Sequence, residues 1–294
     1  MFEIVSSHPY LLAECPVWYG ERYLFTDIKS NELYTVEGNE IKKIAEGLSV
    51  AGFAENKNGG LVVGGATGVY FWDEKQGFTL IASEYEGNPL KCNDASTDPC
   101  GRFLIGTNYY NRDPEGNFPR GRLYALNKDR SIKVLADGIG LANGIGFSPD
   151  KKTLYLTDTY AGEIYAYDYD VQNCTASNKR TAVKVPKEIG IPDGMTVDSE
   201  GYIWSAIMFA GLVIRFDPDG KEERRLSLPA TQVSSVMFGG KDLNELFVTT
   251  AADIARLPIA PSGFDFDHAK SGGIYKFKLD IKGMPEYKAD IDRD

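Results

Sequence analysis

One spacing, repeated along the chain, constrains its fold more than any other feature. An oxygen-bearing side chain precedes an apolar strand by ten or eleven residues: Glu14 before Leu24, Asn93 before Phe103, Asn143 before Leu154 and Asp193 before Ile203. The strands that follow (RYLFTD, GLVVGG, RFLIGT, TLYLTD, YIWSAI and ELFVTT) are short, rich in β-branched and aromatic residues, and bounded by Gly, Asp and Pro, which is how strands read between turns. Each leads into a second strand: 32–36, 68–72, 121–126, 163–169, 211–217 and 272–280. In most units a third follows, as in IKKIAEG, IKVLADG and EERRLSL. Six units of about four strands, with no helical periodicity of useful length, predict an all-β six-bladed β-propeller, with residues 1–294 as a single domain. Strands are expected near 24–28, 61–65, 103–107, 154–158, 203–207 and 246–250. Two stacked sandwiches leave the six-fold echo unexplained.

The same offset carried through all six units selects Glu14, Ala51, Asn93, Asn143, Asp193 and Ser235. Equivalent positions of successive blades form a ring about the axis, so these side chains are expected at the channel mouth. Short Asn, Asp and Gly segments also make turns by bonding their own backbone. Coincidence at one phase of a repeat favours a site. Two carboxylates and two amide oxygens, without a soft ligand, suit one hard divalent cation, Ca²⁺ first, with Zn²⁺, Mn²⁺ or Mg²⁺ as alternatives.

Composition removes other classes. A net charge of −10, with no Lys/Arg block, opposes nucleic-acid binding, which needs a basic surface. The N-terminus lacks a signal-like pattern and no long apolar run exists, so the chain is expected to be cytoplasmic, with no membrane partner. Its oligomeric state is not legible. Two histidines, His8 and His268, make an imidazole-based triad or zinc site a poor fit. Four cysteines show no C-x-x-C pairing. Cys15 and Cys92 each adjoin a ring residue, a placement that would let them lie close together, with free thiols the expectation in a reducing cytosol.

The segments ECPVW, KCNDASTDPCGRF, ANGIGFSPDKKTLYLTDT, PDGMTVDSEGYIW and VSSVMFGGKDLNELFVTTA together resemble the senescence-marker protein/gluconolactonase/luciferin-regenerating enzyme family, which includes regucalcin. The resemblance implies a propeller with one divalent metal on its axis and hydrolysis of a small-molecule lactone. Carried over by motif, Glu14, Asn143 and Asp193 match the metal ligands. Asn93 matches a substrate or further metal contact, and Asp193 the acid/base. Lys91 stands where the family often has Arg, and it loses the planar fork. Cys15 stands where Gly is usual. Asn117, with Glu115 nearby, falls where many sugar lactonases place an acid. Tyr109, Tyr110, Phe118, Met208 and Phe209 are expected either to wall an apolar side of the pocket, Tyr109 as a substrate contact, or to pack in the core. Competing readings are a phosphotriesterase-like or other ester hydrolase at the same site, and a non-catalytic Ca²⁺-binding or protein-docking propeller.

Overall fold

The computed structural model describes residues 1–38, 40–108, 120–252, 260–261, 263–264 and 272–293. Among these, regular structure is entirely β, arranged as six four-stranded antiparallel sheets and one short hairpin. The strands expected near six positions appear as Arg22–Asp27, Leu61–Gly65, Phe103–Thr107, Thr153–Asp158, Ile203–Met208 and Glu245–Thr250. Each is second in its sheet, preceded by an innermost strand: Ala13–Tyr19, Val50–Glu55, Cys92–Thr97, Ala142–Phe147, Ile191–Val197 and Val233–Gly239. We number the blades 1 to 6 in that order.

Burial grades outward from the axis. Second strands such as Leu61–Gly65 and Phe103–Thr107 are buried throughout, whereas the outermost strand Glu40–Glu46 has only exposed and half-buried residues. The core is therefore a set of interblade layers. Val62 and Phe71 of blade 2 meet Phe103 and Tyr124 of blade 3, and Leu104 and Leu123 of blade 3 meet Leu154 and Leu156 of blade 4. A buried side chain of this size contributes about 1.5–3 kcal/mol relative to exposure. Each layer glues one sheet to the next, because no single sheet can bury both its faces.

The ring closes through the termini. Phe2–Ser6 pairs antiparallel with Ile274–Lys278, so the N-terminal strand completes the blade built by the last strands. The C-terminal segment then crosses one face of the propeller. The N–H of Gly283 donates to Leu243 O of blade 6, that of Ala289 to Glu55 O of blade 2, and that of Asp290 to Gly101 O of blade 3. Buried polar turns brace the blades. Asp198, fully buried, accepts from the backbone N–H of Glu200 and Tyr202, from Trp204 Nε1 at 2.8 Å and from Arg215 Nε at 2.8 Å.

Candidate functional site

The innermost strands share one irregularity. Each breaks register with its neighbour beside the ring position: between Glu14 and Val17, Val50 and Gly52, Cys92 and Asp94, Asn143 and Ile145, Pro192 and Met195, and Val233 and Ser235. A bulge inserts an extra residue and re-aims its side chain. Glu14, Ala51, Asn93, Asn143 and Asp193 consequently line one cavity of about 290 Å³.

Blade 6 needs a one-residue correction. Val233 faces Thr250 as Ala142 faces Asp158 and Ala13 faces Asp27, which puts Ser234 in the ring rather than Ser235. The hairpin turns differ in length, two residues in blade 1 against five in blade 6, so a constant offset slips there. Ser234 Oγ donates to Ala13 O at 2.6 Å, joining the last blade to the first.

The NG and DG pairs prove to be neither turns nor mere spacers. A Cβ on Gly144 would stand 2.4 Å from Met195 Cγ, and one on Gly194 2.2 Å from Ser235 Oγ. At these two positions the inner strand of the adjacent blade approaches too closely for a side chain. Cys15 occupies the corresponding position in blade 1 with φ +46°, a left-handed conformation that glycine takes freely and other residues at a cost of about 1–2 kcal/mol.

Hydrogen bonds orient the amides. Asn143 Nδ2 donates to Thr159 Oγ1 at 3.0 Å, and that hydroxyl donates to Pro192 O at 2.9 Å. Asn93 Nδ2 donates to Ala142 O at 2.9 Å. With its amide nitrogen directed at Thr159, Asn143 turns its carbonyl oxygen the other way, as a cation ligand requires. Asn143 and Asp193 are each only 6% exposed. Burial, then repulsion from Asp193 and Asp94, holds the Glu14 carboxyl well above its ordinary range, and burial followed by Asp94 does the same to Asp193.

Asp94 itself escaped the sequence reading. In an unbroken strand its side chain would point opposite to Asn93, but the bulge sends it into the channel, where it lines a second cavity of about 390 Å³ with Met195, Ser235 and the C-terminal residues Met284 and Glu286. Burial lifts its carboxyl to about 7, countered by the N–H of Ala95 at 2.7 Å. The clue available beforehand was the doubled oxygen of the Asn93-Asp94 pair.

Not every expected site residue joins the cavity. Lys91 is exposed and does not line it; its carbonyl accepts from the N–H of Asn108 at 3.2 Å. Tyr109, Tyr110, Glu115, Asn117 and Phe118 lie outside the described residues. Met208 lines the cavity, whereas Phe209 packs behind it, edge-on to Phe264 with ring centroids 4.8 Å apart. Cys15 and Cys92 are free and buried near the site, as expected, but Cys100 and Cys174 are joined in a disulfide between turns of blades 3 and 4, which their 74-residue separation concealed.

The donor set fits a hard cation. Among the described residues no three His, Cys, Asp or Glu side chains gather as a metal cluster, so an ion held here depends on Glu14 and Asp193 together with the amide oxygen of Asn143, a combination suited to oxygen-seeking metals.

Fold and site define a class: a six-bladed propeller with an acidic, amide-lined cavity on its axis. The model of the SMP-30/Gluconolactonase/LRE-like region matches residues 12–252. A pentonolactonase of Haloferax volcanii is 34% identical over 95% of both chains, and regucalcin of Xenopus laevis 34% identical over 96% of both. The structure of a luciferin-regenerating enzyme superposes with a TM-score of 0.88 at 25% identity, covering 99% of each chain. This chain belongs to the SMP-30/gluconolactonase/LRE-like family.

Proposed function

We propose that the protein is a metal-dependent lactonase, opening a small cyclic ester at the axial cavity. The observation that carries the reading is the pair of desolvated carboxylates, Glu14 and Asp193, which share one cavity with the oriented amide of Asn143. Burying two like charges side by side is costly, and a divalent ion would offset that cost. Relatives named pentonolactonase and regucalcin, and a structural neighbour titled as a calcium-binding regucalcin, support the choice of lactone and of Ca²⁺.

Glu14, Asn143 and Asp193 would hold the ion, with Asn93 at its edge. A bound divalent cation supplies Lewis acidity toward the ester carbonyl and compensates the buried negative charge. Asp193 accepts the proton of the attacking water and returns it to the departing ring oxygen. Asn93, held by its bond to Ala142 O, orients the ester. The apolar rim formed by Leu12, Leu141 and Ile191 limits bulk water at the reacting carbon.

Asp193→Asn tests the proton transfer, because it keeps a coordinating oxygen and removes the basicity. At saturating cation its kcat on a lactone should stay lower by roughly 10²–10⁴, the usual worth of a positioned base. Full recovery at high metal would refute the base role and leave Asp193 a ligand only.

A further inference from the structure

Among the described residues the wall around the candidate ligands is mostly apolar, and Ser49 and Thr159 are already bonded within the protein. Leu12, Ile28, Ala66, Leu141, Ile191 and Met208 surround the ring residues. Ser49 Oγ donates to Ile28 O at 3.2 Å, and Thr159 Oγ1 is engaged with Asn143 and Pro192. Of the described lining residues outside the ring, Lys29 alone adds a charged group. Apolar packing also backs this wall, since Leu12, Ile191 and Met208 belong to one cluster with Phe209, Ala251, Ala260 and Phe264.

A polyhydroxylated lactone would press hydroxyls against this wall, where each unpaired one lowers affinity by roughly 5- to 100-fold. Alkyl substituents gain there instead, about fourfold for each methylene removed from water. We infer that the substrate is a lactone carrying an alkyl substituent, its ring carbonyl toward Glu14, Asn143 and Asp193 and its hydrocarbon on the Leu12–Ile191–Met208 wall. The inference rests on the lactonase reading above and adds the substrate class to it.

The test compares kcat/KM for two five-membered lactones at saturating Ca²⁺: γ-octalactone, which has a butyl tail and no hydroxyls, and xylono-1,4-lactone, which is fully hydroxylated. The octalactone should be preferred by about tenfold or more. Met208→Gln, close in volume but polar, should reduce that ratio by about fivefold or more, read beside a melting curve. Ile28→Gln, on the half-buried part of the wall, repeats the measurement should the first variant melt early. A ratio favouring the xylonolactone, or one unmoved in both variants, overturns the alkyl assignment and leaves the lactonase reading standing. Hydrolysis of neither lactone overturns both.

Discussion

The channel's own charge makes its metal-free state sensitive to pH, and Asp94→Asn isolates the effect. Asp94 is lifted from 3.8 to about 7, chiefly by burial, with only the Ala95 N–H opposing. Three powers of ten in proton affinity correspond to about 4 kcal/mol. That is an upper bound, because solvent reaches part of the side chain, and screening brings the expected value nearer ~2 kcal/mol. The sign follows from linkage. The folded value lies above the unfolded one, so the native protein binds this proton more tightly, and stability falls as pH rises wherever that is so. Asp94 thus contributes stability in full below about pH 4 and loses it as pH climbs to about 7. The assay is thermal melting of the chelated protein from pH 4.5 to 8. Wild type and variant should differ little at the acid end, and Asp94→Asn should melt higher by about 4 °C at pH 8. Saturating Ca²⁺ should shrink the difference there, since a cation near Glu14 and Asp193 would offset their repulsion of Asp94. A chelated variant no more stable than wild type at pH 8, or a difference independent of pH, would refute the desolvation argument.

Three further outcomes follow from packing. Gly194→Ala places a methyl 2.2 Å from Ser235 Oγ beside Asp193; melting should show a loss of about 1–3 kcal/mol, with cation affinity falling as the inner strands separate. Asp198→Ala strips Arg215 and Trp204 of their buried acceptor and should destabilise by about 3–5 kcal/mol in urea titration, more than any single exposed ion-pair deletion such as Arg22→Ala against Glu37. Reduction of Cys100–Cys174, or Cys100→Ser, opens a long loop between blades 3 and 4 and should lower stability by up to ~4 kcal/mol; an unchanged melting temperature would show that interblade packing alone holds those turns.

The regular part of the fold was legible because a propeller repeats its chemistry. Alternation in TLYLTD or YIWSAI needs only local propensity, and all six second strands fell where expected. The four oxygen-bearing ring residues were legible for the same reason, since a repeat position maps onto the axis. Ser235 was misplaced because turn length varies between blades, and sequence offset counts turn residues that pairing ignores. Asp94 was missed because strand alternation assigns it away from Asn93, and a bulge is invisible until two strands are laid side by side. Lys91 shows the converse limit: a motif fixes a residue's neighbours in sequence, yet its side chain is exposed rather than in the cavity.

By itself, then, the sequence determined what six-fold repetition and residue chemistry can carry: an all-β propeller, an acidic and hard-oxygen ring, and a glycine beside Asn143 and Asp193. Tertiary structure decided what depends on contacts between distant segments. It joined Phe2–Ser6 to Ile274–Lys278, paired Cys100 with Cys174, brought Asp94 into the field of Glu14 and Asp193, and set Leu12, Ile191 and Met208 against one cavity. The physical reason is that hydrogen-bond pattern and hydrophobic period are local properties of a chain, whereas desolvation, close approach and ring closure exist only once separate blades share an axis.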